Sequence, residues 1–546
     1  MVRTQRRIGL LFALFLGLLI LATLRASWLG VVRGDSLRGR AVAQQVQEMT
    51  VPARRGTITD RNGLDLAVSE DAVTVFANPF LIRQPTVVAQ RVAPLVNRPY
   101  AQVLQELADR RRGFVYLARK LDPSVESRVK ALHVAGIGTM TEPKRLYPQN
   151  TLAAQLLGSV GTDNWGLAGL EQLREDSLHG TDGKERIVKD GAGKPISIVE
   201  EKRSGPGKDM RLTIDSAIQQ KTEDVLAGVG QTYRPKGATA LVLDPRNGEI
   251  LALANWPAVD ANDLGSVPAY ARQDRAVSVN YEPGSTFKAV TVSGALESRL
   301  ITPGTSFDLP PTIQVADRTI KESHDRGYVT LTTGQILAQS SNIGAVKIGL
   351  LLGKQRFDHW VRRFGFGKGT DVDIPGEQSG IVPRPSQYSG SSLGNLPIGQ
   401  GLAVTPMQMA AAYEAIANGG VMHRPHVIMG DSAPARRVLS ARTARQVSSM
   451  LEGVLGPGGT ATEAKVPGYT LAGKTGTAQK PDGMGGYSKF RFVASFIGYA
   501  PARDPRLLVA VMVDEPQGDI YGGTVAAPAF EKIVSFALPY LKIPPN

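Results

Sequence analysis

An uncharged apolar run near the start of the chain constrains where the remaining residues can lie. It covers residues 8–24, follows Arg3, Arg6 and Arg7, and ends at Arg25. Its seventeen residues are at the lower limit for a helix that crosses a bilayer. Basic residues before such a run favour a cytoplasmic N-terminus, with the chain after it outside. We therefore expect a cytoplasmic tail over residues 1–7 and a transmembrane anchor over residues 8–25.

The alternative for this run is a cleaved signal peptide. Such peptides have a shorter apolar core, followed by a small-x-small cleavage site. The length of the run favours a retained anchor. Later segments contain no comparable run, so the sequence predicts a single membrane pass.

Composition narrows the classes of function. The 546 residues are 42% hydrophobic and 21% charged, which is typical of a globular chain with two or three domains. The absence of cysteine excludes disulfides, thiolate metal sites and cysteine nucleophiles. The net charge of +14 is compatible with nucleic acid, an anionic membrane or an anionic polymer such as a cell wall. No nucleic-acid-binding motif accompanies the basic residues, so we expect no nucleic-acid partner.

Turn residues divide the rest of the chain. Residues 26–50 are polar with few turn signals and predict a helical or extended stalk. Over 51–207, short strands alternate with turns and helices, and the clearest helix is predicted at 99–112. Glycine and proline at 203–208 mark a boundary. We expect a mixed, elongated pedestal domain of the dimerisation type over 51–207 and a second domain over 208–546.

The second domain has an α+β pattern. One helix within it is marked at both ends, by Thr405 and Pro406 at its start and Asn418 and Gly419 at its stop, with Met409, Ala412, Tyr413 and Ile416 on one face. We expect an antiparallel sheet formed from both ends of the domain, with a helical insertion between them. The predicted elements are a hairpin of strands 239–244 and 249–255, a mostly helical stretch 284–430, strands 491–499 and 507–514, and a closing helix 527–541.

A candidate nucleophile and base lie at the start of a predicted helix. Pro283 and Gly284 suit a turn that opens the helix, which would place Ser285 at its positive N-terminal end. Lys288, three residues on, lies on the same face. A lysine that is buried away from water loses basicity, so it could be neutral and accept the serine proton.

Two further motifs support this interpretation. Ser340 and Asn342 form an S-x-N motif, whose hydroxyl can shuttle a proton and whose amide can orient an amide substrate. Lys474-Thr475-Gly476-Thr477 occupies a short extended segment, in which glycine would let a ligand approach the backbone and the other side chains suit a carboxylate. Single matches also occur by chance, at Ser127–Lys130 and Ser278–Asn280. The order and spacing of the three motifs support the interpretation: S-x-N begins 55 residues after S-x-x-K, and K-T-G begins 134 residues after S-x-N.

The three motifs resemble the signature of penicillin-binding proteins and serine β-lactamases. The wider chain resembles the monofunctional, class B penicillin-binding proteins, and among them the division-type enzymes such as penicillin-binding protein 3 and its sporulation-type relatives. The stretches that carry this resemblance are R-R-G-T-I-T-D-R-N-G at 54–63, G-L-A-G-L-E at 166–171, L-T-I-D at 212–215, Y-E-P-G-S-T-F-K at 281–288, T-P-M-Q at 405–408, G-K-T-G-T at 473–477 and Y-G-G-T-V-A-A-P at 521–528.

The resemblance implies a peptidoglycan D,D-transpeptidase that needs no metal or cofactor. Ser285 would attack the carbonyl between the two terminal D-alanines of a stem peptide, and Lys288 would take its proton. Ser340 would relay a proton to the leaving amine, with Lys474 tuning it, and Asn342 would hold the substrate backbone.

The remaining roles also follow from the resemblance. The backbone N–H groups of Ser285 and Thr477 would form the oxyanion hole beside Gly476, and Thr475 and Thr477 would bind the substrate carboxylate. β-Lactams would mimic the substrate and trap Ser285. The expected location is the inner (cytoplasmic) membrane, with the catalytic domain outside the cytoplasm.

The implied partners are stem peptides and lipid-linked glycan strands. The acidic signature of a glycosyltransferase, E-D-x-x-F-x-x-H, does not occur before residue 207. Glycan polymerisation would therefore come from a SEDS-type glycosyltransferase, alongside divisome proteins.

Other functions remain as alternatives. Residues 468–475 match the P-loop expression, but that loop needs a helix that begins at its Lys-Thr, and glycine and proline follow instead. A β-lactamase or β-lactam sensor, an elongation-type transpeptidase and an inactive division scaffold would each share the fold.

Overall fold

The computed structural model describes residues 2–32, 46–189, 195–430, 434–483 and 486–545. Its α-helices, in chain order, are α1 (Val2–Ser27), α2 (Pro85–Val92), α3 (Tyr100–Ala108), α4 (Ser124–Lys130), α5 (Ala154–Leu157), α6 (Gly169–Leu173), α7 (Glu175–Leu178), α8 (Ser216–Tyr233), α9 (Arg275–Ser278), α10 (Lys288–Glu297), α11 (Thr333–Ala338), α12 (Asn342–Arg363), α13 (Ser392–Asn395), α14 (Pro406–Ala417), α15 (Ala441–Glu452), α16 (Gly522–Val525) and α17 (Ala527–Tyr540).

The strands complete this inventory. In chain order they are β1 (Val46–Val51), β2 (Ile58–Thr59), β3 (Asp65–Ala77), β4 (Val115–Leu121), β5 (Ile137–Leu146), β6 (Ser159–Val160), β7 (Gly166–Ala168), β8 (Gly183–Lys189), β9 (Pro195–Lys202), β10 (Met210–Arg211), β11 (Gly237–Leu243), β12 (Ile250–Trp256), β13 (Ser306–Leu309), β14 (Thr312–Val315), β15 (Arg318–Lys321), β16 (Val329–Thr332), β17 (Val421–His423), β18 (Ala435–Arg437), β19 (Ala472–Pro481), β20 (Tyr487–Ala500) and β21 (Leu507–Asp514).

Helix α1 contains the predicted anchor and is longer than expected. Its segment Gln5–Ser27 is long and apolar enough to cross a membrane, and none of it is buried in the protein. Arg25 does not end the helix, which continues to Ser27 and then into a π-helical turn, Trp28–Val32. Of the predicted stalk, residues 33–45 lie outside the described residues, and β1 begins at Val46.

The chain forms two compact units. The first comprises Met1–Arg55, Glu70–Lys144 and Gly180–Gly207, and the second comprises Gly56–Ser69, Arg145–His179 and Lys208–Asn546. Two segments of the predicted pedestal, 56–69 and 145–179, are thus in the same unit as residues 208–546.

The first unit contains an antiparallel sheet in the order β1-β8-β9 and a second sheet in which the end of β3 pairs with β4. Aliphatic side chains of β3, α2, α3, β4 and α4 form its core. The predicted helix at 99–112 was too long, since α3 ends at Ala108. The carboxylate of Asp109 accepts hydrogen bonds from the Arg111 backbone N–H (3.2 Å) and Nε (2.8 Å), which hold a turn instead of a further helical turn.

The second unit is built on a five-stranded antiparallel sheet in the order β12-β11-β21-β20-β19. The predicted hairpin, the two later strands and the closing helix are all confirmed. Helices α8 and α17 pack against each other and against the sheet, and α14 packs on β20 and β21. The α+β prediction is therefore correct, and β19 lies at one edge of the sheet.

The insertion between the two parts of the sheet is less helical than expected. It contains two small antiparallel sheets, β13 with β16 and β14 with β15, whose four-residue strands are too short to show a clear period-2 pattern. Helix α14 is capped by Thr405 and Gln408 as a capping box. All twelve of its residues are buried, those of the predicted face included. Its small alanines let neighbours pack on every side.

A buried ion pair links two early segments of the second unit. Arg145 Nε donates to Glu171 Oε1 at 2.6 Å, and its Nη1 donates to the carbonyl of Gly56 at 2.8 Å. The side chains of Arg145 and Glu171 are 3% and 0% exposed. A buried charge that loses its partner is strongly destabilising, so this pair fixes how residues 145–179 pack.

We expect Glu171→Gln to lower the free energy of unfolding by about 3 kcal/mol, because Arg145 would stay buried without its counter-charge. Thermal and urea unfolding of the purified protein measure this. The matched control is Asp504→Asn, which removes the partner of Arg506 from a pair whose carboxylate is 82% exposed, and which we expect to leave unfolding unchanged. Equal stability of Glu171→Gln and the wild type would refute the role of the pair.

Candidate functional site

Ser285 lies where the sequence predicts, in a 3₁₀ turn, Gly284–Phe287, that leads directly into α10. Backbone contacts hold this turn. The N–H of Gly284 donates to the carbonyl of Gly399 (3.0 Å), and Tyr413 of α14 donates its hydroxyl to the carbonyl of Thr286 (2.8 Å). A Cβ on Gly399 would overlap the backbone of Gly284, so the nucleophile's turn rests on a contact that only glycine permits.

Lys288 joins the first two motifs. It is 1% exposed, and its Nζ donates to the Ser340 carbonyl at 2.6 Å, to Asn342 Oδ1 at 2.7 Å and to Ser340 Oγ at 3.3 Å. These hydrogen bonds go to the S-x-N segment rather than to Ser285. The two motifs predicted to cooperate, 52 residues apart at Lys288 and Ser340, are therefore in direct contact.

The S-x-N segment is a tight corner between α11 and α12. Ser340 has a φ of +59°, a left-handed conformation that a non-glycine residue adopts at some cost. Ser341 caps α12, because its Oγ accepts from the N–H of Gly344 (3.0 Å). Asn342 is the first residue of α12 and donates its Nδ2 to the Lys321 carbonyl (3.0 Å), which turns its Oδ1 toward Lys288.

The K-T-G motif lies in an extended segment, as predicted, and this segment is the edge strand β19. Lys474 and Gly476 share one face of the strand, since side chains alternate. A Cβ on Gly476 would overlap Ser495 Oγ and would lie 3.1 Å from the carbonyl oxygen of Pro283. The expected reason for this glycine was the approach of a ligand. The structure adds a second reason: without a Cβ, this glycine lets the nucleophile's turn pack directly on β19.

The threonines of β19 lie on the other face. Thr475 Oγ1 is 2.6 Å from Thr460 Oγ1 and 3.3 Å from Lys474 Nζ. Thr477 Oγ1 accepts from the N–H of Gly522 (3.1 Å), which leaves its own hydroxyl proton to donate. In the Thr475–Thr460 contact either hydroxyl can be the donor.

Both motif lysines are buried amines with lowered basicity. Burial lowers the pKa of Lys288 to about 7; among the charges around it, Glu322 opposes that change and Arg326 reinforces it. Burial also lowers the pKa of Lys474 well below its usual value, helped by repulsion from Lys288 and Arg326. A lysine with a pKa near 7 can act as a general base at neutral pH.

Sequence reasoning missed three residues beside the motifs. Glu322 accepts hydrogen bonds from the start of α12, and Arg326 donates Nη2 to the Gln339 carbonyl (2.6 Å). Both are on the loop between β15 and β16, where no motif or spacing marks them. Glu282, within the quoted Y-E-P-G-S-T-F-K stretch, accepts from the N–H of Gly401 (3.0 Å) and the hydroxyl of Tyr487 (3.2 Å), and burial raises its pKa.

The chance matches have ordinary structural roles. Lys130 pairs with Glu126 (2.8 Å) on the exposed side of α4, and Ser278 donates its hydroxyl to the Asp274 carbonyl (2.6 Å). The P-loop interpretation is wrong, because Lys474 lies inside a strand and no helix begins there.

Lys288 makes the stability of the fold depend on pH. Its pKa is about 7 in the folded chain, against 10.5 as its ordinary value. Between these pH values the unfolded chain binds the extra proton, so the free energy of unfolding rises with pH.

We expect Lys288→Met to melt higher than the wild type at pH 7, and the difference in Tm to shrink as the pH approaches 10, because methionine removes a buried ionisable group. Calorimetry at several pH values checks this. Lys465→Met, at an exposed lysine, should show no such trend. A Tm difference between Lys288→Met and the wild type that is constant with pH would contradict the low basicity of Lys288.

Comparison with protein families matches two models. Residues 238–535 match the penicillin binding protein transpeptidase domain, and residues 50–212 match the penicillin-binding protein dimerisation domain.

Individual relatives cover almost the whole chain. The probable peptidoglycan D,D-transpeptidase PenA of Neisseria meningitidis is 34% identical over 98% of this chain and 92% of its own length. The peptidoglycan D,D-transpeptidase FtsI of Escherichia coli is 31% identical over 98% of this chain and 92% of its own length. The crystal structure of penicillin binding protein 3 from Mycobacterium tuberculosis, complexed with aztreonam, superposes with a TM-score of 0.72 at 30% identity, over 91% of this chain and 98% of that chain.

Proposed function

The chain belongs to the class B, division-type penicillin-binding proteins, and we propose that it is a peptidoglycan D,D-transpeptidase that works through an acyl-enzyme on Ser285. One observation carries the proposal. Lys288, a buried lysine with a pKa of about 7, lies one helical turn from Ser285 and hydrogen-bonds Ser340 and Asn342. A serine, a weakly basic lysine and a second serine together supply a nucleophile, a base and a proton relay.

Acylation begins at the Ser285 hydroxyl. Its oxygen attacks the carbonyl carbon between the two terminal D-alanines while the proton passes to neutral Lys288. The tetrahedral intermediate then collapses, the peptide C–N bond breaks, and the amine of D-alanine takes a proton that Ser340 relays from Lys288. The stem peptide remains as an ester on Ser285, so charge and protons balance at each step.

The other motif residues bind and orient the substrate in this proposal. Asn342 holds the substrate backbone with its amide, and Lys474 tunes Ser340. The backbone N–H groups of Ser285 and Thr477 stabilise the oxyanion. Thr475 and Thr477 bind the terminal carboxylate, supported by the free hydroxyl proton of Thr477.

Transpeptidation ends when an amine of a neighbouring stem peptide attacks the ester. That amine gives a proton to neutral Lys288 by way of Ser340 as it forms the new amide bond, and when the ester C–O bond breaks the Ser285 oxygen takes this proton from Lys288. β-Lactams present a strained amide to the same nucleophile, and their opened ring stays on the serine. The site is therefore expected to trap penicillin.

Labelling with a fluorescent penicillin tests the proposed function. We expect the wild type to form a covalent label that persists, and Ser285→Ala to lose it by a factor of at least about 10³. The matched control is Ser127→Ala, in the chance S-x-x-K match, which should label like the wild type. Label on Ser285→Ala would overturn the assignment, and rapid release of opened penicillin from the wild type would favour a β-lactamase.

The membrane arrangement and partners are further parts of the proposal. Helix α1 anchors the protein with its N-terminus in the cytoplasm, and the part of the chain that follows this helix lies outside, on the side where peptidoglycan is made. Residues 51–207 serve as a pedestal that contacts a SEDS-type glycosyltransferase and divisome proteins. The enzyme then crosslinks new glycan strands at the septum.

Photo-crosslinking in cells tests this arrangement. A photoreactive residue at Phe80, 59% exposed in the first unit, should capture a polytopic glycosyltransferase, whereas one at Phe490, 88% exposed in the second unit, should not. A fluorescent fusion should gather at midcell. Capture from neither position would remove the partner proposal, and sidewall fluorescence would indicate an elongation enzyme.

A further inference from the structure

Glu322 places both of its carboxylate oxygens on the first turn of α12. Oε1 accepts from the hydroxyl of Ser341 (2.5 Å) and the N–H of Ile343 (3.2 Å), and Oε2 accepts from the N–H of Asn342 (2.8 Å). The N–H groups at a helix start have no partner within the helix, and a negative charge there is favourable. Glu322 therefore fixes where α12 begins.

The residue before Glu322 fixes the side chain of Asn342. The Lys321 carbonyl accepts from Asn342 Nδ2 at 3.0 Å, so the amide oxygen is the atom that meets Lys288 Nζ at 2.7 Å. If the amide were reversed, its NH₂ group would face the lysine nitrogen, and no hydrogen bond to a protonated lysine would form. Two consecutive residues of one loop thus hold the backbone and the side chain of Asn342.

The same carboxylate acts on the charge of Lys288. Two charged groups bear on this lysine: Glu322 attracts its protonated form, while Arg326 repels it. Lys288 in turn repels the protonated form of Lys474. Glu322 and Arg326 are four residues apart on the β15–β16 loop. Because Glu322 is the negative member of this pair, its loss would leave Lys288 facing the positive charge of Arg326.

We propose that Glu322 is a positioning residue for acyl transfer: its carboxylate holds the start of α12, and through it Ser340 and Asn342, against Lys288, and it balances the positive charge around that lysine. This inference rests on the proposed function, in which Ser285 is acylated with Lys288 as base. In this role Glu322 touches neither substrate nor nucleophile. It acts by holding α12 and by the effect of its negative charge on Lys288.

The pH dependence of acylation separates this role from a purely structural one. Removing the negative charge makes protonated Lys288 less stable, so its neutral form persists to lower pH. In Glu322→Gln, the midpoint of the acid limb of the acylation rate should therefore fall by about 1 pH unit, while the plateau rate falls about 10- to 100-fold because Asn342 and Ser340 are less well held. Glu322→Asp, which keeps the charge, should retain the wild-type midpoint.

Glu297 offers a matched control. Its Oε2 accepts from the hydroxyl (2.8 Å) and N–H (3.2 Å) of Ser440 at the start of α15, so it also holds a helix start. Lys288 is not among the groups that shift its pKa. Glu297→Gln should change neither the midpoint nor the plateau rate.

The experiment measures the second-order rate of labelling of the full-length protein in detergent by a fluorescent penicillin, from pH 5 to 9 at constant ionic strength. Hydrogen exchange over residues 340–346 is measured in parallel and should be faster in Glu322→Gln than in the wild type and Glu297→Gln. An unshifted midpoint, or exchange equal to that of the wild type, would overturn the inference. If the wild type is not labelled at Ser285, the proposed function fails, and hydrogen exchange alone decides whether Glu322 holds α12.

Discussion

The burial of one amine, the Nζ of Lys288, is the constraint on which the site depends. A cation that is 1% exposed must have its donors accepted or give up its proton. The chain supplies acceptors from an unrelated segment, the carbonyl of Ser340 and the amide oxygen of Asn342. Ser340 adopts a left-handed backbone conformation with a φ of +59°, which costs about 1–3 kcal/mol. A hydrogen bond to a charged group contributes about 1.5–3 kcal/mol, which is enough to offset that strain.

Close backbone packing holds the remaining parts of the site. The turn of Ser285 rests on Gly399 on one side and on β19 at Gly476 on the other. A Cβ at Gly522, where α16 begins, would overlap the carbonyl oxygens of Gly476 and Ser495. Four segments that are distant in sequence, namely the turn of Ser285, the segment of Gly399, β19 and the start of α16, therefore pack closely at glycine positions. Such contacts fix atomic positions, which matters because a misplacement of about 1 Å can cost a factor of 100 in rate.

The sequence correctly predicts the helices and strands for which the hydrophobic pattern and the residues at the two ends indicate the same element. Helix α14 has a capping box and a proline at its start, and β11 and β12 are joined by a turn with clear turn residues. The predicted ends of these elements are therefore nearly correct. The helix at 99–112 was extended too far because three arginines suit a helix end, whereas the carboxylate of Asp109 binds the following backbone instead. The four-residue strands of the insertion give no periodic signal, so a mostly helical stretch was expected there.

The residues of the site could be predicted from the sequence, but the contacts between them could not. The order of S-x-x-K, S-x-N and K-T-G names Ser285, Lys288 and the residues after them without showing which atoms meet. Gly476 illustrates the limit, since the motif does not reveal its close packing against Ser495 and the turn of Ser285. Glu322 carries no signal at all, because its hydrogen bonds are to a helix whose start lies some twenty residues later. Long-range packing alone brings it to the site.

The proximity of Lys288 and Lys474 gives a physical reason for the separate roles proposed for these two lysines. Burial lowers the pKa of both Lys288 and Lys474, and repulsion from Lys288 lowers that of Lys474 further, so the free site is not a favourable place for two protonated lysines. A substrate of the proposed kind brings its own carboxylate to β19, the strand that carries Lys474. A negative charge there raises the basicity of a nearby amine. Substrate binding would then stabilise a charged Lys474, and repulsion from that charge would keep Lys288 neutral, the form that can accept the proton of Ser285.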